Sequence, residues 1–273
     1  MNKNFSKLFA LLAGTLMLTA CEETIPADKR YTPIANDHPV RSVLVEEYTG
    51  VKCVNCPNGH AALEAIEELY NTPANMEQGV GVVAVGIHIP DFGYSAESRL
   101  DGLVAPEAGS LTPDEVAPPQ AQINRNSGLL DRNAWAKAVK ETIVRPPKVT
   151  FVSSVLAEMR GNSIVISGKV HSAENLSAAR LHVWIVEDNI VTRQLMPDGT
   201  PNLNYVHMNV FRGCVNGVKG SEFSMQRNSE RAFSFTYAPD SRWKAENLRV
   251  VVFVETPADG VLNVTQNNLQ INQ

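Results

Sequence analysis

Three things are scarce in this chain. Past residue 20 no apolar run is longer than a buried strand, so the protein after its leader is expected to be soluble apart from any lipid it carries. Cysteine is rare, four in 273 residues, which excludes a disulfide-stapled miniprotein and leaves an ordinary packed core. Basic runs are missing. The formal net charge of −5 becomes −7 when Lys3 and Lys7 leave with the leader, and an acidic chain without a basic patch is a poor partner for nucleic acid. Internal repeats and low-complexity tracts are also missing, and no cofactor is expected.

What is present begins with compartment. Lys3 and Lys7 form a basic start, Leu8 to Leu18 an apolar core, and Leu18-Thr19-Ala20-Cys21 the end. Residues 1–20 are too short an apolar stretch for a bilayer span and read as a signal peptide. The Leu-Thr-Ala-Cys ending resembles a bacterial lipobox, which implies lipidation of Cys21 and contact with the bilayer through it. Glu22 and Glu23 are similar to the acidic pairs of surface-exported lipoproteins in Bacteroidetes-type bacteria. An outer-membrane lipoprotein facing outward is expected, with the periplasmic face as the alternative. Residues 21–40, with Pro26, Pro33 and Pro39 and little periodicity, read as a tether.

The pattern changes near Arg145-Pro146-Pro147. Before it, strands at 42–47, 80–88 and 120–124 alternate with helices at 59–70 and 133–144, which predicts an α/β domain over 41–147. The first helix is expected to place Ala62, Leu63, Ile66, Leu69 and Tyr70 on one side, and the second to carry Trp135, Val139 and Ile143. After Pro147 helix signals fade. Strands are predicted at 149–159, 164–171, 181–187, 232–237, 248–255 and 261–266, an all-β immunoglobulin-like sandwich over 148–273. The stretch 191–221 is left as a long connection, too large for a simple turn.

One motif carries chemistry. Cys53-Val54-Asn55-Cys56 sits between a strand and a helix, the layout of a thiol–disulfide site. A cysteine just before a helix sees the positive end of its dipole, which favours thiolate. Cys53 is then the attacking thiol and Cys56 the resolving one. A bridge closing four residues removes only about 2 kcal/mol of chain entropy, so it is a poor staple. An inert pair and a metal site are the competing readings; metal would need more ligands, with His60 and His88 available, each read as a helix-surface or strand-end histidine. Cys214 has no partner and reads as a small buried residue or free thiol.

The first domain resembles the thioredoxin superfamily in three features: the C-x-x-C at its strand–helix junction, Pro119 before a strand, and Glu47 six residues before Cys53. The resemblance implies a cis-proline at Pro119 beside the disulfide and a buried Glu47 that shuttles a proton to or from Cys56. Lys52 stands where that family has tryptophan. More narrowly, the chain resembles the outer-membrane-protein-28 lipoprotein family in its lipobox, in Val45-Glu46-Glu47-Tyr48-Thr49-Gly50 leading to C-x-x-C-P, in Ile123-Asn124-Arg125, and in Asn204-Tyr205-Val206-His207 with Arg212. The expected function is thiol–disulfide exchange on exported proteins of the envelope, with a protein substrate or redox partner. The alternative is a non-catalytic surface lipoprotein that binds a protein or glycan through its β-sandwich.

Overall fold

The computed structural model describes residues 40–94, 103–152 and 154–271. The leader, Cys21 and most of the tether lie outside them. In chain order the described elements begin β1 (Ser42–Thr49), α1 (Cys56–Tyr70), α2 (Pro73–Glu77), β2 (Gly81–His88), α3 (Pro90–Gly93), α4 (Ala108–Leu111), β3 (Gln120–Ile123), β4 (Leu130–Asp131) and α5 (Arg132–Ile143). Strands then dominate: β5 (Val149–Phe151), β6 (Leu156–Arg160), β7 (Ser163–Ser172), β8 (Arg180–Glu187), β9 (Ile190–Leu195), β10 (Pro201–His207) and β11 (Val210–Cys214). The last are β12 (Ser221–Glu222), β13 (Ser229–Tyr237), β14 (Leu248–Thr256), β15 (Gly260–Asn268) and β16 (Gln270–Ile271). Among the described residues no helix is long and apolar enough to cross a membrane.

Nine strands form one sheet, ordered β15-β14-β8-β11-β2-β1-β3-β4 with β12 on β8. Five more form a second sheet, β13-β7-β6-β16 with β5 on β7, and β9 and β10 make a separate hairpin. The mainly β architecture contains the sandwich expected from the second half. Successive side chains of a strand point to opposite faces, and the large sheet is apolar on both. From β8, Leu181, Val183 and Ile185 join Val250 and Val252 of β14 in a core shared with Ile164, Ile166 and Phe233 of the five-stranded sheet. The intervening Trp184, Val186 and Phe253 pack on the other face with Leu44, Val83 and Val85. On β1 and β2, Val43, Val45, Val82 and Ala84 meet Leu63 and Ile66 of α1 and Trp135, Val139 and Ile143 of α5. Burying a tryptophan such as Trp135, which is 0% exposed, contributes roughly 4–6 kcal/mol from area alone.

Double-sided burial explains why β2 reads as a near-continuous apolar run, and every residue of both β1 and β2 is buried. Pro57 lies in the first turn of α1, where its missing N–H costs nothing. At the other end Asn71 stops the helix: its Oδ1 accepts from Val82 N at 2.7 Å and its Nδ2 donates to Val82 O at 3.0 Å. The buried stripe of α1 is Cys56, Gly59, Leu63 and Ile66. Leu69 does not belong to it, being 65% exposed: the stripe passes from Ile66 to Tyr70, which packs on the same core, and leaves Leu69 at the side of the helix.

Two strand expectations change. The single strand over 149–159 is β5 and β6, both antiparallel to β7: Phe151 faces Val170 and Leu156 faces Ser167, so the register shifts between them. The long connection at 191–221 is built of strands. Its first half is the β9–β10 hairpin; then β11 enters the large sheet, antiparallel to β8 and parallel to β2 at Val210–Gly86. That entry makes the sheet continuous across residues 147 and 148.

Candidate functional site

The site is built at the C-terminal end of β1. The strand ends at Thr49, a turn closed by Cys53 N donating to Gly50 O at 3.0 Å follows, and Cys56 opens α1. Cys53 and Cys56 are joined as a disulfide with their Cα atoms 5.4 Å apart. The pair therefore sits at the N-terminal end of a fifteen-residue helix, where unpaired N–H groups and the dipole favour negative charge on sulfur once the bridge opens. Both residues are covered: Cys53 is 4% exposed and Cys56 0%.

The Pro118–Pro119 peptide bond is cis, and Pro118 O lies 3.5 Å from Cys53 Sγ. Glu47 arrives from β1 between Gly86 of β2 and Ala121 of β3. It is 2% exposed, and its Oε1 has no hydrogen-bond partner among the described residues. Burial, and then the nearby Glu67, push its pKa well above the ordinary carboxylate range. Gly59 shows how close these groups are. A Cβ there would lie 2.6 Å from Glu47 Oε1 and 2.8 Å from Pro119 Cβ. All four residues expected at the site, Cys53, Cys56, Glu47 and Pro119, are thus brought to one end of α1.

Several neighbours were not anticipated. Gln194 of β9 is fully buried and donates from Nε2 to Cys53 O at 3.0 Å and Gly50 O at 3.4 Å. Leu195 N donates to Val51 O at 2.8 Å, so the hairpin is bonded to the disulfide loop. His60 is not a free helix-surface histidine: its Nε2 lies 2.8 Å from Thr49 Oγ1, its Nδ1 2.7 Å from the Tyr205 hydroxyl, and its Nε2 3.9 Å from Glu47 Oε1. Burial and then His207 lower its pKa to about 3, so it is neutral at neutral pH. His207 packs edge-on against both His60 and His88, and His88, at the end of β2, is buried and lowered in the same way. These contacts join residues about 145 positions apart, which no local spacing reports.

Among the described residues no group of three or more His, Cys, Asp or Glu is arranged to hold a metal ion. Cys214 is a free buried thiol on β11, opposite Trp184, and belongs to the apolar cluster of Trp184, Phe211 and Phe253. Burial, then Glu107, raise its pKa to about 12, which keeps it protonated and unreactive.

Comparison with known proteins gives a family and a fold. Residues 114–273, more than half of the chain, match the family model described as outer membrane protein Omp28. The solved structure of HBP35 of Porphyromonas gingivalis superposes with a TM-score of 0.64 at 15% identity, over 85% of this chain and 76% of that one. It shares the fold. A domain of the outer membrane lipoprotein Omp28 from Porphyromonas gingivalis matches at 22% identity and a TM-score of 0.34, over 46% of this chain and 92% of that one. No curated protein sequence matches the chain.

Proposed function

The chain belongs to the outer membrane protein Omp28 family, and from its place at the outer membrane we propose that it is a lipoprotein, anchored through an acylated Cys21, whose Cys53–Cys56 site exchanges thiols and disulfides in exported proteins. Residues 41–147 are read as a thioredoxin-like unit and 148–273 as its β-sandwich partner. What supports the first is β1 flanked by parallel β2 and antiparallel β3, α1 and α5 on one face, and the cis proline before β3.

The observation that carries the proposal is the convergence of Glu47 and Pro119 on Gly59, one turn into the helix that starts at Cys56. In the reduced protein the Cys53 thiolate attacks a substrate disulfide, forming a mixed disulfide and releasing one substrate sulfur as thiolate. Cys56 then attacks the Cys53 sulfur, releasing the second, and the Cys53–Cys56 bridge forms. Two electrons pass to the substrate. Glu47, ionised at that stage, takes the Cys56 proton; in the reverse direction the neutral carboxyl returns it. An outside thiol or disulfide couple sets the direction.

A second reading has one observation in its favour. With 4% and 0% of their surface exposed, the two cysteines lie under the β9–β10 hairpin, and a sealed bridge suits a non-catalytic lipoprotein that binds its partner through the sandwich. Equilibration of the full-length protein across glutathione redox buffers, beside Cys53→Ser and Cys56→Ser variants, separates the two. A reversible two-electron transition that both substitutions abolish supports exchange, and a bridge inert to every buffer under native conditions supports the binding protein.

A further inference from the structure

Beside α1 a cleft of about 690 Å³ runs between the helix, β10 and the β14–β15 edge. Its helical wall carries Glu64 and Glu68, and its opposite wall Val206 and Met208. The two walls differ in chemistry. Glu64 and Glu68 are exposed on successive turns and have no ion-pair partner among the described residues. Val206 and Met208 are 48% and 50% exposed.

The cleft's one arginine is already committed. Arg249 bonds Asp188, Gln266, Asn209 and the carbonyl of Ala84, and on the helical wall its charge acts on Glu67, which leaves Glu64 and Glu68 without an ion pair among the described residues. At the inner end stands Glu47, 2% exposed, whose Oε1 accepts no hydrogen bond from the described residues. A buried acceptor without a donor costs about 1–3 kcal/mol unless something fills the role. On the helical wall Glu67 accepts from Asn209 Nδ2 at 3.1 Å, so the places left to a ligand are the unpaired Glu64 and Glu68 along one wall and the uncovered Val206 and Met208 along the other.

We propose that this cleft binds an extended protein segment presenting a lysine or arginine beside an apolar side chain, and that it thereby selects the substrates of the Cys53–Cys56 site. The apolar side chain covers Val206 and Met208 while the cation lies between Glu64 and Glu68, its N–H groups directed at the Glu47 end. Glu47 links the two places, since the same carboxyl borders Gly59 beside the cysteines. The selection of exchange substrates rests on the reading given under Proposed function; the binding itself does not.

The test uses the full-length protein in a non-ionic detergent, with two fluorescein-labelled octapeptides, one alternating leucine with lysine and one leucine with glutamate. Fluorescence anisotropy is expected to show saturable binding of the leucine–lysine peptide and at least tenfold weaker binding of its acidic counterpart. Glu64→Lys/Glu68→Lys is expected to weaken the basic peptide by about tenfold or more, and Glu64→Gln/Glu68→Gln by roughly threefold to fivefold. Val206→Asp should weaken it too. A Cys53→Ser/Cys56→Ser protein should bind as the wild type does, and a wild-type protein that binds the peptide but exchanges no disulfide tells against the redox reading alone. Equal binding of both peptides, no saturable binding, or indifference to both pairs of Glu64 and Glu68 substitutions would overturn the proposal whether or not the disulfide is active.

Discussion

Gln194 Nε2 donates to the carbonyl oxygen of Cys53 at 3.0 Å across 141 residues of chain. Through this bond, and a second to Gly50 O, the β9–β10 hairpin closes over the disulfide loop. The hairpin belongs to neither large sheet, so its hold on the loop determines how readily the bridge is reached.

Replacing Gln194 by alanine removes the side-chain donor from those carbonyls, which keep Cys53 N and Cys56 N as backbone donors. A loss of about 0.5–1.5 kcal/mol of stability per hydrogen bond removed is expected. The same change should speed reduction of the bridge by a small-molecule dithiol several-fold under native conditions. Thiol release followed at constant temperature, beside thermal unfolding, checks both. An unchanged reduction rate would mean that the hairpin does not control access.

Glu47 sets a pH dependence whose sign follows from its burial. Its folded-state pKa is raised, so the folded protein holds this proton more tightly than the unfolded chain. Stability from this group is fully present below the unfolded carboxylate pKa of about 4.3 and is lost as pH rises toward the folded value. Glu47→Gln removes that dependence. Paired urea titrations from pH 4 to pH 8 should show the variant gaining on the wild type as pH rises. In exchange assays the variant should lose about 100-fold in the step that needs the Cys56 proton moved. A variant that exchanges at the wild-type rate leaves Glu47 a structural carboxylate.

Arg125 tests the packing behind the site. Its guanidinium bonds Glu46 through Nε at 2.9 Å and Nη2 at 2.8 Å and reaches Glu255 at 2.9 Å, while lying over Trp184 and Phe253. Glu46 is 1% exposed. Arg125→Ala strands this carboxylate and is expected to cost about 3–5 kcal/mol, read from chemical denaturation. Although burial opposes it, the hydrogen bond from His182 and the charge of Arg125 hold Glu255 down to about 2. Stability from this group is present above the unfolded carboxylate pKa of about 4.3 and falls away as pH drops toward the folded value, a loss that Arg125→Ala should shrink.

Much of the frame is legible in the residues alone. Trp135, Val139 and Ile143 recur at helical spacing and all three are fully buried. Alternation along β1 puts Glu47 on the face of Val43 and Val45, which is where its burial arises. The β9–β10 hairpin was illegible for a physical reason: Val191, Leu203 and Val206 face solvent, while its inward side uses Gln194, Tyr205 and His207, polar residues that give no hydrophobic period. Leu69 and Tyr70 are adjacent apolar residues on α1, and helical spacing alone does not say that Tyr70 packs on the core while Leu69 faces solvent. Gln194 and Tyr205 act on partners far away in sequence, so their roles follow from the fold and from no local pattern.

The central claim, that Cys53 attacks and Cys56 resolves, is tested most directly by trapping. Reduced Cys56→Ser protein is mixed with a disulfide-linked peptide and analysed by mass spectrometry after acid quench. The account predicts a stable mixed disulfide on Cys53 that accumulates in Cys56→Ser, is transient in the wild type, and is missing from Cys53→Ser. No adduct on Cys53 in Cys56→Ser, or equal adduct on Cys56 in Cys53→Ser, would contradict it.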